Sequence, residues 1–151
     1  MNILVTGANG QLGTELRNVT AGSRDRYIFS DVISLPGVET LNLDITDNDA
    51  VRIICESERI DVIVNCAAYT NVDKAEDELS MAMSLNCAAA GNLAKVASER
   101  DATLLHISTD YVFSGEMPTP CTEDWPTDPL GVYGSTKLAG EKEIEKSGCR
   151  S

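Results

Sequence analysis

Tyr133-Gly134-Ser135-Thr136-Lys137 sets a phenol and an amine four residues apart. On a helix that spacing puts both side chains on one face. An ammonium beside a phenol favours the phenolate, and such a pair can exchange a proton with a carbonyl oxygen near neutral pH. The pattern also occurs by chance, so its setting matters. Ser108-Thr109-Asp110 follows an apolar stretch and offers a hydroxyl to the same carbonyl. Near the start, Gly7-Ala8-Asn9-Gly10-Gln11-Leu12-Gly13 follows another apolar stretch directly. There Gly7 permits a tight turn, Gly10 lets the backbone approach a pyrophosphate, and Gly13 lets a helix pack on a strand. The helix opening at Gln11 and Leu12 turns free N–H groups and a partial positive charge toward phosphates. The chemistry implied is hydride transfer from a nicotinamide to a sugar ketone. Tyr133 gives the proton, Lys137 tunes Tyr133 and holds the nicotinamide ribose, and Thr109 orients the carbonyl.

Asp31 lies about 18 residues past Gly13, where an acid hydrogen-bonds the ribose 2′-hydroxyl of NAD(H) and repels a 2′-phosphate. No Arg or Lys follows closely, so charge alone leans toward NADH. A capping or solvated carboxylate is the plain alternative. Asp44-Ile45 falls where a third crossover brings a carboxylate and an apolar side chain beside the adenine, or it forms only a turn.

These groups need elements to carry them. Apolar, β-branched runs predict strands at 3–6, 27–30 (ending at Asp31), 61–65 and 103–108, with a short strand or extended turn at 41–44. Helices are predicted over 11–20, from an N-cap at Thr46 to about 59, over 76–99, and over 131–146. Residues 114–130 hold all but one of the five prolines and read as a loop. Alternating strands and helices predict an α/β fold, a Rossmann-like doubly wound parallel sheet. Such a sheet is expected to add a strand beyond Ser151. Residues 1–151 therefore read as an NAD(P)-binding domain truncated before the C-terminal substrate-binding part, a fragment of a longer reductase.

A formal net charge of −12 argues against nucleic acid as a partner, because phosphate contacts need a basic face. No apolar run has the length of a membrane span, and the first residues read as a strand and not a signal peptide. A cytoplasmic protein is expected. The five cysteines include no C-x-x-C pair, so neither a zinc site nor a disulfide framework is suggested. Cys66 and Cys87 read as small core residues. His106, the single histidine, reads as a packed or partly solvated strand residue, and Trp125 as a packing residue.

Three segments carry a resemblance. Asn65-Cys66-Ala67-Ala68-Tyr69-Thr70-Asn71-Val72-Asp73-Lys74-Ala75-Glu76, Ser108-Thr109-Asp110-Tyr111-Val112-Phe113 and Val132-Tyr133-Gly134-Ser135-Thr136-Lys137-Leu138-Ala139-Gly140-Glu141 resemble the dTDP-4-dehydrorhamnose reductase family. That family belongs to the extended short-chain dehydrogenase/reductase superfamily. The resemblance implies an oxidoreductase that reduces a nucleotide-linked 4-keto sugar with NADPH or NADH. It implies pyrophosphate contacts from Gly10, Gln11 and Leu12, and adenosine contacts from Asp31, Asp44 and Ile45. Ala67, Ala68, Tyr69 and Thr70 would line the path to the nicotinamide, and Thr109 and Asp110 would meet the sugar. It also implies a homodimer and a divalent metal such as Mg, although no metal-ligand cluster in the sequence shows one.

Two rivals remain. Among other enzymes on nucleotide-linked sugars, a dehydratase lacks its second acid because Asp110 is followed by Tyr111, an NDP-sugar epimerase fits that pair less well, and another NDP-sugar reductase stays open. Related dehydratases carry Asp-Glu after the Ser-Thr. A non-catalytic dinucleotide-binding regulatory subunit is the other, opposed by intact Thr109, Tyr133 and Lys137.

Overall fold

The computed structural model describes residues 1–116 and 120–151. Five strands, β1 (Asn2–Thr6), β2 (Arg26–Asp31), β3 (Leu41–Asn42), β4 (Val62–Asn65) and β5 (Thr103–His106), form one parallel sheet in the order β3-β2-β1-β4-β5. Order reverses at β1, between β2 and β4. That switch point leaves a crevice at the carboxyl ends of the strands. The central strands are apolar on both faces because helices cover both. On one side Leu4, Ile63 and Leu104 meet Val51 and Cys55 of α2 (Asn48–Ser57) and Leu93, Ala94 and Ala97 of α5 (Ala89–Glu99). On the other, Ile3, Val5 and Ala8 pack with Leu16 of α1 (Gln11–Val19). No helix of the described residues is long and apolar enough to cross a membrane.

Three expectations change. Thr46 does not cap α2. Asp47 does, accepting from Ala50 N at 3.0 Å, because the Asp44 carboxylate has captured both the N–H and the hydroxyl of Thr46. The fifth strand stops at His106, short of Ser108. The helix predicted over 76–99 is interrupted. After α3 (Val72–Ala75) come α4 (Leu79–Met83), a π-helical turn over Ser84–Ala88, and only then α5. The wide turn buries Asn86. Its amide accepts from Tyr69 N at 2.8 Å and donates to Tyr69 O and Thr136 Oγ1, both at 3.1 Å. Those three bonds satisfy the buried side-chain amide.

The last helix, α6 (Val132–Ser147), carries Tyr133 and Lys137. Two of its glycines touch backbone directly. A Cβ on Gly134 would overlap the Tyr111 carbonyl, and one on Gly140 the Asn86 carbonyl. The predicted loop 114–130 includes residues 117–119, which lie outside the described residues.

Candidate active site

Because the strands are parallel, the residues that follow them collect along one edge. Thr6 leads into Gly7, Asn65 into Cys66 and Ala67, and His106 into Ile107 and Ser108. A cleft of about 810 Å³ runs along this edge. Gly7, Gly10, Gln11, Leu12, Asp31, Asp44, Ile45, Ala67, Ala68, Thr70, Tyr133 and Lys137 all line it, so most of the expected residues share one space.

The glycine turn is built for close approach. Gly7 has φ +62°, and a Cβ there would stand 2.6 Å from Ala67 N. Gly13 is not in the lining; its missing side chain lets α1 rest against Ala8, whose Cα a Cβ would meet at 2.5 Å. Helix α1 has no side-chain cap, and the N–H groups of Gln11 and Leu12 find no acceptor among the described residues. Open donors at the start of a helix suit a diphosphate.

Asp31 is held by two main-chain donors, Asn9 N and Ile33 N, each at 3.0 Å. Its carboxylate therefore braces the glycine turn as well as facing the cleft. Val32, Ile33 and Leu35 beside it are exposed and apolar. The lining holds three acids, Glu15, Asp31 and Asp44, and one cation, Lys137. An anionic ligand would thus be met mainly by backbone N–H groups.

At the far end, Lys137 is only 2% exposed. Its amine contacts the Ile107 carbonyl and His106 Nε2, the latter at 3.3 Å. Burial pushes it below the usual lysine range, against the upward pull of Glu141. The expected Lys137–Tyr133 pair is not hydrogen-bonded to itself; the Tyr133 ring is held edge-on by Tyr111, with centroids 5.6 Å apart at 74°. Thr109 and Asp110 sit just beyond the cleft. The Thr109 hydroxyl accepts from Tyr111 N at 3.2 Å and caps a 3-10 turn over Asp110–Val112. Ser108 lines the cleft instead, and its hydroxyl donates to Glu141. Tyr69 also lies outside the lining. Its hydroxyl donates to Glu78 at 2.6 Å, which pushes the phenol up to about 12.

Sequence reasoning missed Asn65, Asn86 and the polar role of His106. Asn65 Oδ1 accepts from Thr6 Oγ1 at 2.6 Å and Ala67 N at 3.2 Å, and its Nδ2 faces His106 Nδ1 at 3.0 Å. Burial first, and then the charge of Lys137, pushes His106 down to about 4. For Asn86 there was a signal: an amide on the stripe of Ala82, Ala90 and Leu93, a core position of an apolar helix. Cys66 and Cys87, expected in the core, are half-buried, while Cys55 is the fully buried thiol.

A parallel sheet with a switch-point cleft and a Tyr-x-x-x-Lys helix beside it defines a Rossmann-like α/β protein. The chain belongs to the family described as the RmlD substrate binding domain, whose model matches residues 1–151. A dTDP-4-dehydrorhamnose reductase of Mycolicibacterium smegmatis is 43% identical over 143 residues, covering 94% of this chain and 41% of that protein. A solved dTDP-4-dehydrorhamnose reductase from Clostridium acetobutylicum superposes with a TM-score of 0.89 at 40% identity, over 97% of this chain and 49% of that one. Another, from Bacillus anthracis in complex with NADP, gives 0.87 at 35% identity, over 96% and 49%. The chain thus spans about half the length of the relatives it matches.

Proposed function

We propose that residues 1–151 form the NAD(P)H-binding part of a longer reductase that converts the 4-keto group of dTDP-4-dehydro-L-rhamnose to the alcohol of dTDP-L-rhamnose. The setting is nucleotide-sugar and cell-surface polysaccharide biosynthesis in the cytoplasm. The observation that carries this reading is the single cleft joining the uncapped start of α1 to Tyr133 and Lys137. Family membership and the NADP bound to the Bacillus anthracis relative support it.

The residues present fit a dinucleotide. Gly7, Gly10, Gln11 and Leu12 would hold its diphosphate, with Gly13 shaping the turn. Asp31, Asp44 and Ile45 would take the adenosine half, and Ala67, Ala68, Tyr69 and Thr70 would shape the path to the reacting end. The reduced nicotinamide supplies the hydride when bound. Tyr133 carries on its hydroxyl the proton for the ketone oxygen. Lys137 holds the ribose beside it. Thr109, whose hydroxyl reaches Asp110 over 3.3 Å, can turn that hydrogen toward the ketone oxygen. Asp110, fully outside the cleft lining, is left to meet the sugar. A homodimer and a divalent metal such as Mg rest on resemblance alone. No group of three or more His, Cys, Asp or Glu suited to a metal ion exists among the described residues, so no step is routed through one.

The test has two arms. Quenching of reduced-nicotinamide fluorescence should show the chain binding NADPH or NADH. Full-length protein should oxidise the bound cofactor when given dTDP-4-dehydro-L-rhamnose. Binding without oxidation by any nucleotide-sugar would leave only the regulatory-subunit reading.

A further inference from the structure

Tyr133 sits in the first turn of α6, and helix ends are where fraying starts. The two backbone contacts that seat α6, at Gly134 and Gly140, both come after it. Ahead of it, residues 120–131 form no helix or strand, and the N-cap, Gly131, has no side chain to close the turn. The turn is closed from elsewhere. Glu76, 56 residues earlier, accepts from Val132 N at 2.8 Å through Oε1. Gly131 leaves room for that carboxylate, since a Cβ there would stand 3.0 Å from the same oxygen. A carboxylate at a helix start also meets the positive end of the helix dipole. The next N–H along, that of Tyr133, finds no acceptor among the described residues. Glu76 is itself anchored. It ends α3, whose N-cap Asn71 accepts from Lys74 N at 3.1 Å and whose Ala75 is fully buried. The chain leading into α3 is a wall of the cleft, where Ala67, Ala68 and Thr70 face the open space. That wall is tied to α6 a second time, because Asn86 binds both the Tyr69 main chain and Thr136. One short segment thus carries the wall at one end and a clasp on α6 at the other.

We propose that Glu76 is a positioning residue: its carboxylate fastens the first turn of α6, and with it the Tyr133 phenol, against the wall along which the nicotinamide end would lie. This deepens the reductase reading above and rests on it for the role of Tyr133. The carboxylate bonds the backbone beside the phenol and not the phenol itself. It also lies outside the cleft lining. Its loss is therefore felt in the alignment of the proton donor and not in cofactor binding. The task is to accept one hydrogen bond, which an amide oxygen can share.

Two measurements on full-length protein test this. The first is amide hydrogen exchange without cofactor, corrected for intrinsic rates. The Val132 N–H should exchange about fivefold more slowly than that of Tyr133, the weight of one helix-capping bond. Glu76→Ala should erase the difference. Equal exchange in the wild type overturns the proposal, and that result needs no variant to fold. The second is steady-state kinetics with NADPH and dTDP-4-dehydro-L-rhamnose. Glu76→Ala should lower kcat by about 10–100-fold, the scale of a small misplacement of a reacting group, with KM and cofactor affinity retained. Glu76→Gln should recover most of the loss. A folded Glu76→Ala enzyme with unchanged kcat, or a Glu76→Gln enzyme as slow as Glu76→Ala, would refute the positioning role. If full-length protein reduces no nucleotide-sugar, the reductase reading fails, and the exchange pattern alone decides whether Glu76 clasps α6.

Discussion

Acidification should cost this protein stability through His106 in a way that one substitution exposes. In the unfolded chain a histidine titrates at about 6.5, whereas in the fold His106 is held down to about 4. Between those values the unfolded chain takes a proton that the folded chain refuses. Stability therefore rises with pH across the interval, is fully present above about 6.5, and is lost as pH falls toward 4. At about 1.4 kcal/mol per pH unit, the interval corresponds to about 3.5 kcal/mol at most. His106 is only partly buried, which lowers the figure toward about 2. The 24 acidic residues of the chain also titrate on the way down, so the wild-type curve alone is not informative. The useful quantity is a difference. Urea denaturation of wild type and His106→Gln between about pH 7 and pH 4.5 cancels the shared carboxylates. Wild type should lose about 2–3 kcal/mol more than the variant over that range. Glutamine removes the titrating group and keeps an amide able to bond Asn65 and Lys137. If both proteins lose stability in parallel, His106 is not excluded from protonation by the fold, and the electrostatic account of the cleft floor is wrong.

Three further outcomes are expected. Tyr133→Phe keeps the edge-on packing with Tyr111 but removes the hydroxyl, so in full-length enzyme turnover should fall by about 10²–10⁴-fold with cofactor affinity retained; equal loss of both, by steady-state kinetics and fluorescence titration, would remove its role. Asp31→Asn discards a charge while leaving an acceptor for Asn9 N or Ile33 N, and should change the NADH-to-NADPH affinity ratio by up to about tenfold in favour of NADPH, or about 1.4 kcal/mol. An unchanged ratio would detach Asp31 from the ribose. Gly140→Ala forces a methyl onto the Asn86 carbonyl and should destabilise by about 3 kcal/mol in urea denaturation, at the upper end for overpacking because backbone and not a side chain must yield; a near-neutral result would contradict the close helix contact.

What the sequence made readable was whatever depends on residue type at short spacing. The glycine turn could be read because Gly7 needs a positive φ and Gly13 a bare Cα, demands that few other residues meet. Tyr133 and Lys137 could be paired because helical geometry fixes where four residues apart must lie. The parallel sheet followed from alternation. What escaped is set by partners far along the chain. Nothing local to residues 76–99 announces a π-helical turn, which is held open by Tyr69 and by Thr136 of α6. Thr46 and Asp47 are both good caps, and the choice fell to the Asp44 carboxylate. His106 is the strand residue expected, but its polar contacts escaped because their partners, Asn65 and Lys137, arrive from β4 and α6.

Helix α6 is seated on main chain at two points, Gly134 on Tyr111 and Gly140 on Asn86. Six residues apart at about 3.6 per turn, the two contacts face directions about 120° apart. Together they index the helix like two pins of unequal bearing, blocking both roll and slide. The phenol next to the first pin and the amine between the two inherit their coordinates from backbone, which hardly varies with side-chain identity. Exchange among leucine, isoleucine and valine elsewhere in the core would thus carry its packing cost with the register of the reacting groups left undisturbed.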